Sequence, residues 1–468
     1  MLRAFSSALL GTLCLAATFN MIDSPRASAQ VVSSDTSEQV PLTALRGIRP
    51  ETGRSNAAGG NLFQDPTAKG FAKSGTPGVD SIPNWRDQFV ANGFDDNNKP
   101  QSVWPYTMVG APPESGRTTV FSAPVIPVTL EALENPDITG GASVVAVRNG
   151  TPMRSIVSAD VLGATLNSPV FQPWFYTSGI GQINDQLLRA EFWNRIHPGH
   201  SGGDGDDESD NANGWHNILA PRVRTVRKMQ IPFYQPGKAH VAANRAWRFA
   251  LNPDGSLAFL LIDINTFAGL LFPPAAPDNS TVIGAAEVAG DMTTRDITTL
   301  LFNNIFLFDA NPSNCCVIGF HSYDLEAGDA KNGNRQRRYV MNYSSWISNG
   351  IFSGGFEDVT AFSHEMAELF NDPFVDNATP WWLSLDPFTG AGLCQNNLET
   401  GDVVEVLSSN PVFPISMNGR TYHPQNEALF SWFAFQSPSQ AHLGAYSFPD
   451  ETTVTSLSPG PLHPGCTP

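Results

Sequence analysis

Between Gly354 and Pro373 the apolar positions Val359, Phe362, Met366 and Leu369 or Phe370 recur three and four residues apart. That is the period of a helix with one face in a core. Gly354 and Gly355 precede the segment, and Glu357 and Asp358 fall in its expected first turn, where negative charge suits the helix dipole. Asn371-Asp372-Pro373 stops it, because proline biases the preceding residue away from helix. His364, Glu365 and Glu368 lie beside the apolar stripe.

Upstream the patterning predicts short strands at Thr118–Phe121 and Val125–Val128, then at Leu257–Ile264, Ile297–Phe308, Cys316–His321 and Arg338–Tyr343, rich in apolar and β-branched residues. A helical pattern runs from Gln182 to Trp193 with Ile183, Leu187 and Ala190 on one face. After the central helix the chain becomes loop-rich, with Trp381-Trp382, Gly401 to Glu405 and Ala428 to Phe433 as its ordered-looking pieces. No internal repeat is present. The fold class expected is α+β, several strands followed by one polar-faced helix.

The N-terminus reads as a secretory signal over residues 1–29: Arg3, the apolar run Ala8 to Ala17, and an A-x-A cleavage site at Ala27-Ser28-Ala29. The run is too short to span a bilayer, which takes about 20 apolar residues, and no later segment reaches that length. A secreted or periplasmic protein is expected. Residues 30–100, rich in Gly, Ser, Asn, Asp and Pro, read as a flexible low-complexity leader. Residues 101–468 remain for an α+β domain, with 101–250 separable as an N-terminal subdomain.

The formal charge is −17, and removal of residues 1–29 takes away Arg3, Arg26 and Asp23 and leaves a mature chain near −18. An acidic chain with 15% charged residues and no basic run is a poor partner for nucleic acid or an anionic membrane. Apart from Cys14 in the signal, the cysteines are Cys315, Cys316, Cys394 and Cys466, an even number that favours disulfides in an exported chain. Adjacent Cys315 and Cys316 are expected to reach Cys394 or Cys466 rather than each other.

The chemistry concentrates in Ser363-His364-Glu365-Met366-Ala367-Glu368. On a helix, positions i and i+4 lie on one face, so His364 and Glu368 can hold one metal ion with Glu365 beside it. This is the layout of the HExxH zinc peptidase helix with glutamate in place of the second histidine. The bland alternative is a surface helix whose polar face carries these residues. Gly202 to Gly214 holds a second acidic set, Asp204, Asp206, Glu208 and Asp210, whose alternation suits calcium but which lacks the fixed glycine and distal glutamate of an EF-hand loop. A solvated loop explains it as well.

Ala190-Glu191-Phe192-Trp193, Trp215 to Leu219, Gly319-Phe320-His321-Ser322, Ser363 to Pro373 and Glu399-Thr400-Gly401-Asp402 occur in this order. Together they resemble secreted bacterial and fungal proteins with an SHExAE…DP signature. Those are similar in turn to the plant phosphate-induced, EXORDIUM-like proteins, which carry an HELAE segment and a downstream acidic motif. The likeness spans about residues 115–450 and is concentrated in the SHEMAELFNDP block. It implies a shared fold and site more than a reaction. The family's acidic motif is followed closely by a cysteine, whereas here Cys394 precedes Glu399.

A catalytic zinc needs about three protein ligands plus water. His364 and Glu368 supply two, and glutamate-zincins take the third from a glutamate beyond the helix. Glu399 is therefore the first choice, with Asp402, Glu405 and His321 as rivals and His216, His197 and His200 behind them. Zinc would polarise a scissile carbonyl and lower the pKa of its water toward ~7, with Glu365 as general base. Replacing histidine with an anionic ligand weakens that acidification and admits harder ions such as manganese or calcium. The expectation is a zincin-like hydrolase, a zinc peptidase acting on a peptide or cell-surface polymer. The competing reading is a non-catalytic exported binding protein on the same scaffold, with Trp381-Trp382 lining a cleft or buried in the core. No Gly-x-Ser-x-Gly elbow is present for a serine hydrolase.

Overall fold

In the computed structural model, strands from both halves of the chain join one 12-stranded mixed sheet. The structure describes residues 38–46, 51–52, 79–89, 93–94, 100–101, 103–197, 213–274, 279–313, 315–385 and 392–457. The elements that matter for the site are β1 (Thr118–Ala132), α1 (Ile183–Glu191), β2 (His216–Val223), β3 (Arg227–Ile231), β4 (Trp247–Leu251), β5 (Leu257–Asp263), β6 (Ile297–Asn303), β7 (Ile305–Phe308), β8 (Cys315–Glu326), β9 (Gln336–Trp346), α2 (Thr360–Asn371) and α3 (Thr400–Leu407). The sheet runs β1-β6-β9-β8-β7-β5-β4, with β2 and β3 both parallel to β1. The architecture is α+β, and the part after α2 is a series of short hairpins and helices.

Two expected strand boundaries move for identifiable reasons. Thr118–Phe121 and Val125–Val128 fuse into the single strand β1, which changes parallel partner near Pro124 and Pro127, from β2 through Val125 to β3 from Val128. Ile297–Phe308 splits instead at Asn304, whose φ of 52° lies in the left-handed region that asparagine tolerates. Its amide is fixed by Ser348, with Nδ2 donating to Oγ at 2.9 Å and Oδ1 accepting from the backbone N–H at 2.8 Å.

The proposed separation of 101–250 as a subdomain does not hold. β1, β2 and β3 come from that span and pair into the same sheet as β6, β8 and β9. The flexible reading of 30–100 fails for its described parts as well. Val40, Ala44 and Leu45 pack in one core with Phe259 and Phe306. Asn84–Phe89 forms an antiparallel hairpin with Trp104–Val109, placing Trp85 5.5 Å from the rings of both Tyr106 and Phe192. Short apolar motifs embedded in polar, glycine-rich sequence carry this packing, and composition averages hide them.

Strand alternation sets the two faces of the sheet. From β8 and β9, Phe320, Met341 and Tyr343 enter one core, whereas Tyr323, Leu325, Val340 and Trp346 enter the other with Phe362, Met366, Leu369 and Phe370 of α2. Every residue of α2 is buried, covered by β8 and β9 below and by α1, α3 and the strand Trp104–Val109 around it. A surface helix is therefore ruled out. The helix starts at Thr360, not at Glu357: Asp358 takes φ 41° and spends its carboxylate on the backbone N–H of Val359 and on His423 at 2.8 Å. Among the described residues no helix is long and apolar enough to cross a membrane.

Cys315 and Cys316 stand side by side at the start of β8, joined by a cis peptide bond, and the side chain of Cys394, one of their expected partners, lies outside the described residues. Cys466 lies outside the described residues, as do residues 1–29 and the acidic set Asp204, Asp206, Glu208 and Asp210.

Candidate metal centre

α2 turns His364, Glu365 and Glu368 toward polar partners on β8 and α3, and all three side chains are fully buried. β8 contributes Gly319 and His321 on the face that meets the helix. A β-carbon at Gly319 would stand 2.7 Å from Glu365 Cγ and Oε1, so only glycine lets the strand approach this closely. α3 closes the other side. The backbone of Gly401 presses on the His364 imidazole with no room for a β-carbon, and its N–H donates to Glu368 Oε1 at 3.1 Å.

His364 Nε2 lies 3.0 Å from Glu368 Oε1 and 3.8 Å from Asp402 Oδ1, while its Nδ1 lies 3.6 Å from Glu405 Oε1. His321 Nδ1 lies 3.4 Å from Glu368 Oε2 and 3.6 Å from Glu365 Oε2. Glu399, the residue before α3, receives a hydrogen bond from Asn397 Nδ2 at 2.8 Å. The residues singled out from sequence, His364, Glu365 and Glu368 with Glu399, Asp402, Glu405 and His321, thus collect around one buried point, each no more than 8% exposed.

The donor atoms fall into sets. His321, Glu368 and Glu399 each offer a ligand atom within 4.8 Å of the others, and so do His364, Glu365 and Glu368. Glu368 belongs to both. The expected trio His364, Glu368 and Glu399 is divided between them, since Glu399 converges with His321.

Neither oxygen of Glu365, nor Glu368 Oε2, has a hydrogen-bond partner among the described residues. Orphaned carboxylate oxygens are costly away from water, and a cation among them relieves that cost. Imidazole with carboxylate oxygens is a donor set for zinc and for harder divalent ions. The residues present therefore fit a metal ion.

The crowding of buried groups shifts their titration. Burial pushes the Glu365 carboxyl up to about 7 against the pull of His321 and His364. Burial also opposes charge on Glu368, but His364 and His321 hold its carboxyl well below the usual range. Burial, and after it Glu368, raises Asp402 far above that range. Burial disfavours both imidazolium ions, yet the surrounding carboxylates, Glu399 first for His321 and Glu368 first for His364, hold them well above the usual histidine value.

One contributor had no signal in the sequence. Glu427 is buried, accepts from Thr400 Oγ1 at 3.0 Å, and is driven up by burial with Glu368 adding to it. It arrives through a two-residue strand in the irregular tail, with no helical spacing to announce it. Glu427 also lines a small cavity of about 10 Å³ with Asn184, Leu187, Ser363, Ala367 and Gln425.

Other sequence candidates stand elsewhere. His216 pairs with Asp185 at 2.8 Å, and buried His197 contacts the Trp193 carbonyl at 2.9 Å; His200 lies outside the described residues. Trp382 is core, its Nε1 donating to the Asn397 carbonyl at 3.0 Å and its ring 6.0 Å from Trp432. No protein-family model, curated protein or solved structure matches this chain.

Proposed function

We propose that this protein is an exported metal-dependent hydrolase on a zincin-like scaffold, released by cleavage after Ala29 and acting on peptide bonds of a peptide or cell-surface polymer. The SHEMAELFNDP block is the ground for grouping it with the EXORDIUM-like proteins. The observation that carries the reaction is Glu365: a wholly buried carboxylate with no hydrogen bond of its own, beside Glu368 and both histidines.

His364, Glu368, Glu399 and His321 are the ligands available to the ion, zinc or another divalent cation. When bound, the ion polarises a carbonyl and acidifies water. The chain's own part falls to Glu365, which takes a proton from the attacking water and returns it to the leaving amine. Gly319 gives the Glu365 side chain its place, and the Gly401 N–H fixes Glu368.

The test compares Glu365→Gln with the parent chain in a peptide-hydrolysis screen, with metal content measured on both. Loss of about 10²–10⁴-fold in rate at unchanged metal content is expected. Equal activity in the variant would sink the assignment. A second reading, a binding protein with a structural ion, draws on the closure of the centre, since structural sites are closed and catalytic ones keep an open position. Metal retention without turnover in any screen favours it.

A further inference from the structure

Glu368 stands at a fork. Its Oε1 faces His364 Nε2 at 3.0 Å, and its Oε2 faces His321 Nδ1 at 3.4 Å. The two imidazoles come from different elements, α2 and β8, and approach the carboxylate by different oxygens. The converging donor sets divide in the same way, one with His364 and one with His321, and Glu368 is common to both.

Burial gives a second argument. Glu365, Glu368, Glu399, Asp402, Glu405 and Glu427 are all buried around this point. Both histidines face Glu365 and Glu368, and His364 also faces Asp402 and Glu427. One divalent ion can use only one of the two donor sets. With the His364 set alone filled, Glu368 Oε2 would still be buried without a hydrogen bond.

We propose that the centre holds two divalent cations bridged by Glu368. One is held by His364 Nε2 and Glu368 Oε1, with Asp402 Oδ1 3.8 Å from the same nitrogen. The other is held by His321 Nδ1, Glu368 Oε2 and Glu399. Glu365 adjoins both positions and remains the base, so the rivalry between Glu399 and Asp402 for the third ligand resolves into one carboxylate for each ion. Paired ions are a known solution for hydrolysis, clamping both attacking and leaving groups. The inference deepens the hydrolase reading and rests on its metal centre.

The experiment strips the purified mature chain with chelator, titrates it with Mn²⁺, counts bound metal by mass spectrometry and records low-temperature electron paramagnetic resonance. About two Mn²⁺ per chain with an exchange-coupled spectrum is expected. His321→Ala and His364→Ala should each leave about one ion with an isolated-ion spectrum, and Glu368→Gln should lose the coupling. Thermal melting of each variant controls for folding, and the count on the parent chain decides even where a variant fails to fold. Saturation at about one ion overturns the pair; if peptide hydrolysis then persists and depends on Glu365, the hydrolase reading survives alone. Two coupled ions without any hydrolysis support the pair and overturn the hydrolase. No retained ion overturns both.

Discussion

Gly319 on β8 lies flat against Glu365 on α2, so close that an added methyl would meet the Glu365 side chain at 2.7 Å. Strand and helix are locked in register at the residue assigned to the chemistry. Gly319→Ala should therefore cost about 1–3 kcal/mol by overpacking and also displace the base. Removing Glu365 beyond its β-carbon takes away the obstacle, so the Ala substitution should be much better tolerated in a Glu365→Ala background. Urea denaturation of the two singles and the double variant measures this coupling. Equal cost in both backgrounds would show that the glycine serves some other purpose.

Asn377 ties the far end of α2 to the N-terminal hairpin. Its Oδ1 accepts from the Thr107 N–H at 2.8 Å, and its Nδ2 donates at 2.6 Å to the carbonyls of both Thr107 and Asn371. Asn377→Ala strands buried backbone groups, at about 1–3 kcal/mol. Asn377→Asp should be worse, because a carboxylate cannot donate and would face two carbonyls. Urea midpoints rank the two, and an aspartate as benign as alanine would refute the assignment of Nδ2 as the essential donor.

What was legible in the sequence follows from how each feature is encoded. The helix period exposed α2, and the spacing of His364, Glu365 and Glu368 exposed their shared direction, because both are local properties. His321 could be suspected only from its place at a strand end, since the pairing that turns it toward Glu368 is long-range. Glu427 could not be found, because its two-residue strand has no period. Full burial of α2 was also hidden. Its polar residues broke the apolar pattern, and only the arrival of α1, α3 and an N-terminal hairpin covers them.

Removing the proposed cation should weaken the fold. The carboxylates around Glu368 are buried whether or not a cation is present, so chelation leaves their repulsion less compensated. Ligand linkage gives about 2.7 kcal/mol at a hundredfold excess over Kd. For a chain of this size that predicts a fall in Tm of about 3 °C after chelation, reversed by adding metal back. His364→Ala, which keeps the donor set of His321, Glu368 and Glu399, should shift less than the parent, and the double variant His321→Ala/His364→Ala should melt at one temperature with or without metal. A parent chain whose melting ignores both chelator and metal would remove the cation from the stability argument.

Glu191 supplies a pH dependence remote from the proposed metal ligands. It sits on α1, fully buried, with Oε1 accepting from the Phe430 N–H at 3.2 Å and Oε2 without a hydrogen bond. Burial pushes its pKa from 4.5 up to about 8, against the pull of Phe430 and Asn371. A folded-state pKa above the unfolded one means the native state binds the proton more tightly. The associated stability is therefore fully present below about pH 4.5 and is lost progressively as pH rises to about 8. Glu191→Gln keeps the acceptor for Phe430 and cannot ionise. The difference in unfolding free energy between variant and parent should consequently grow in the variant's favour across that window, by on the order of a few kcal/mol, and level off above it. Taking the difference cancels the titration of other buried acids such as Asp372, which burial also raises to about 8. Denaturant unfolding of both proteins at half-unit steps of pH makes the measurement. A difference that stays flat from pH 4.5 to 8 would mean that Glu191 is charged in the folded protein throughout.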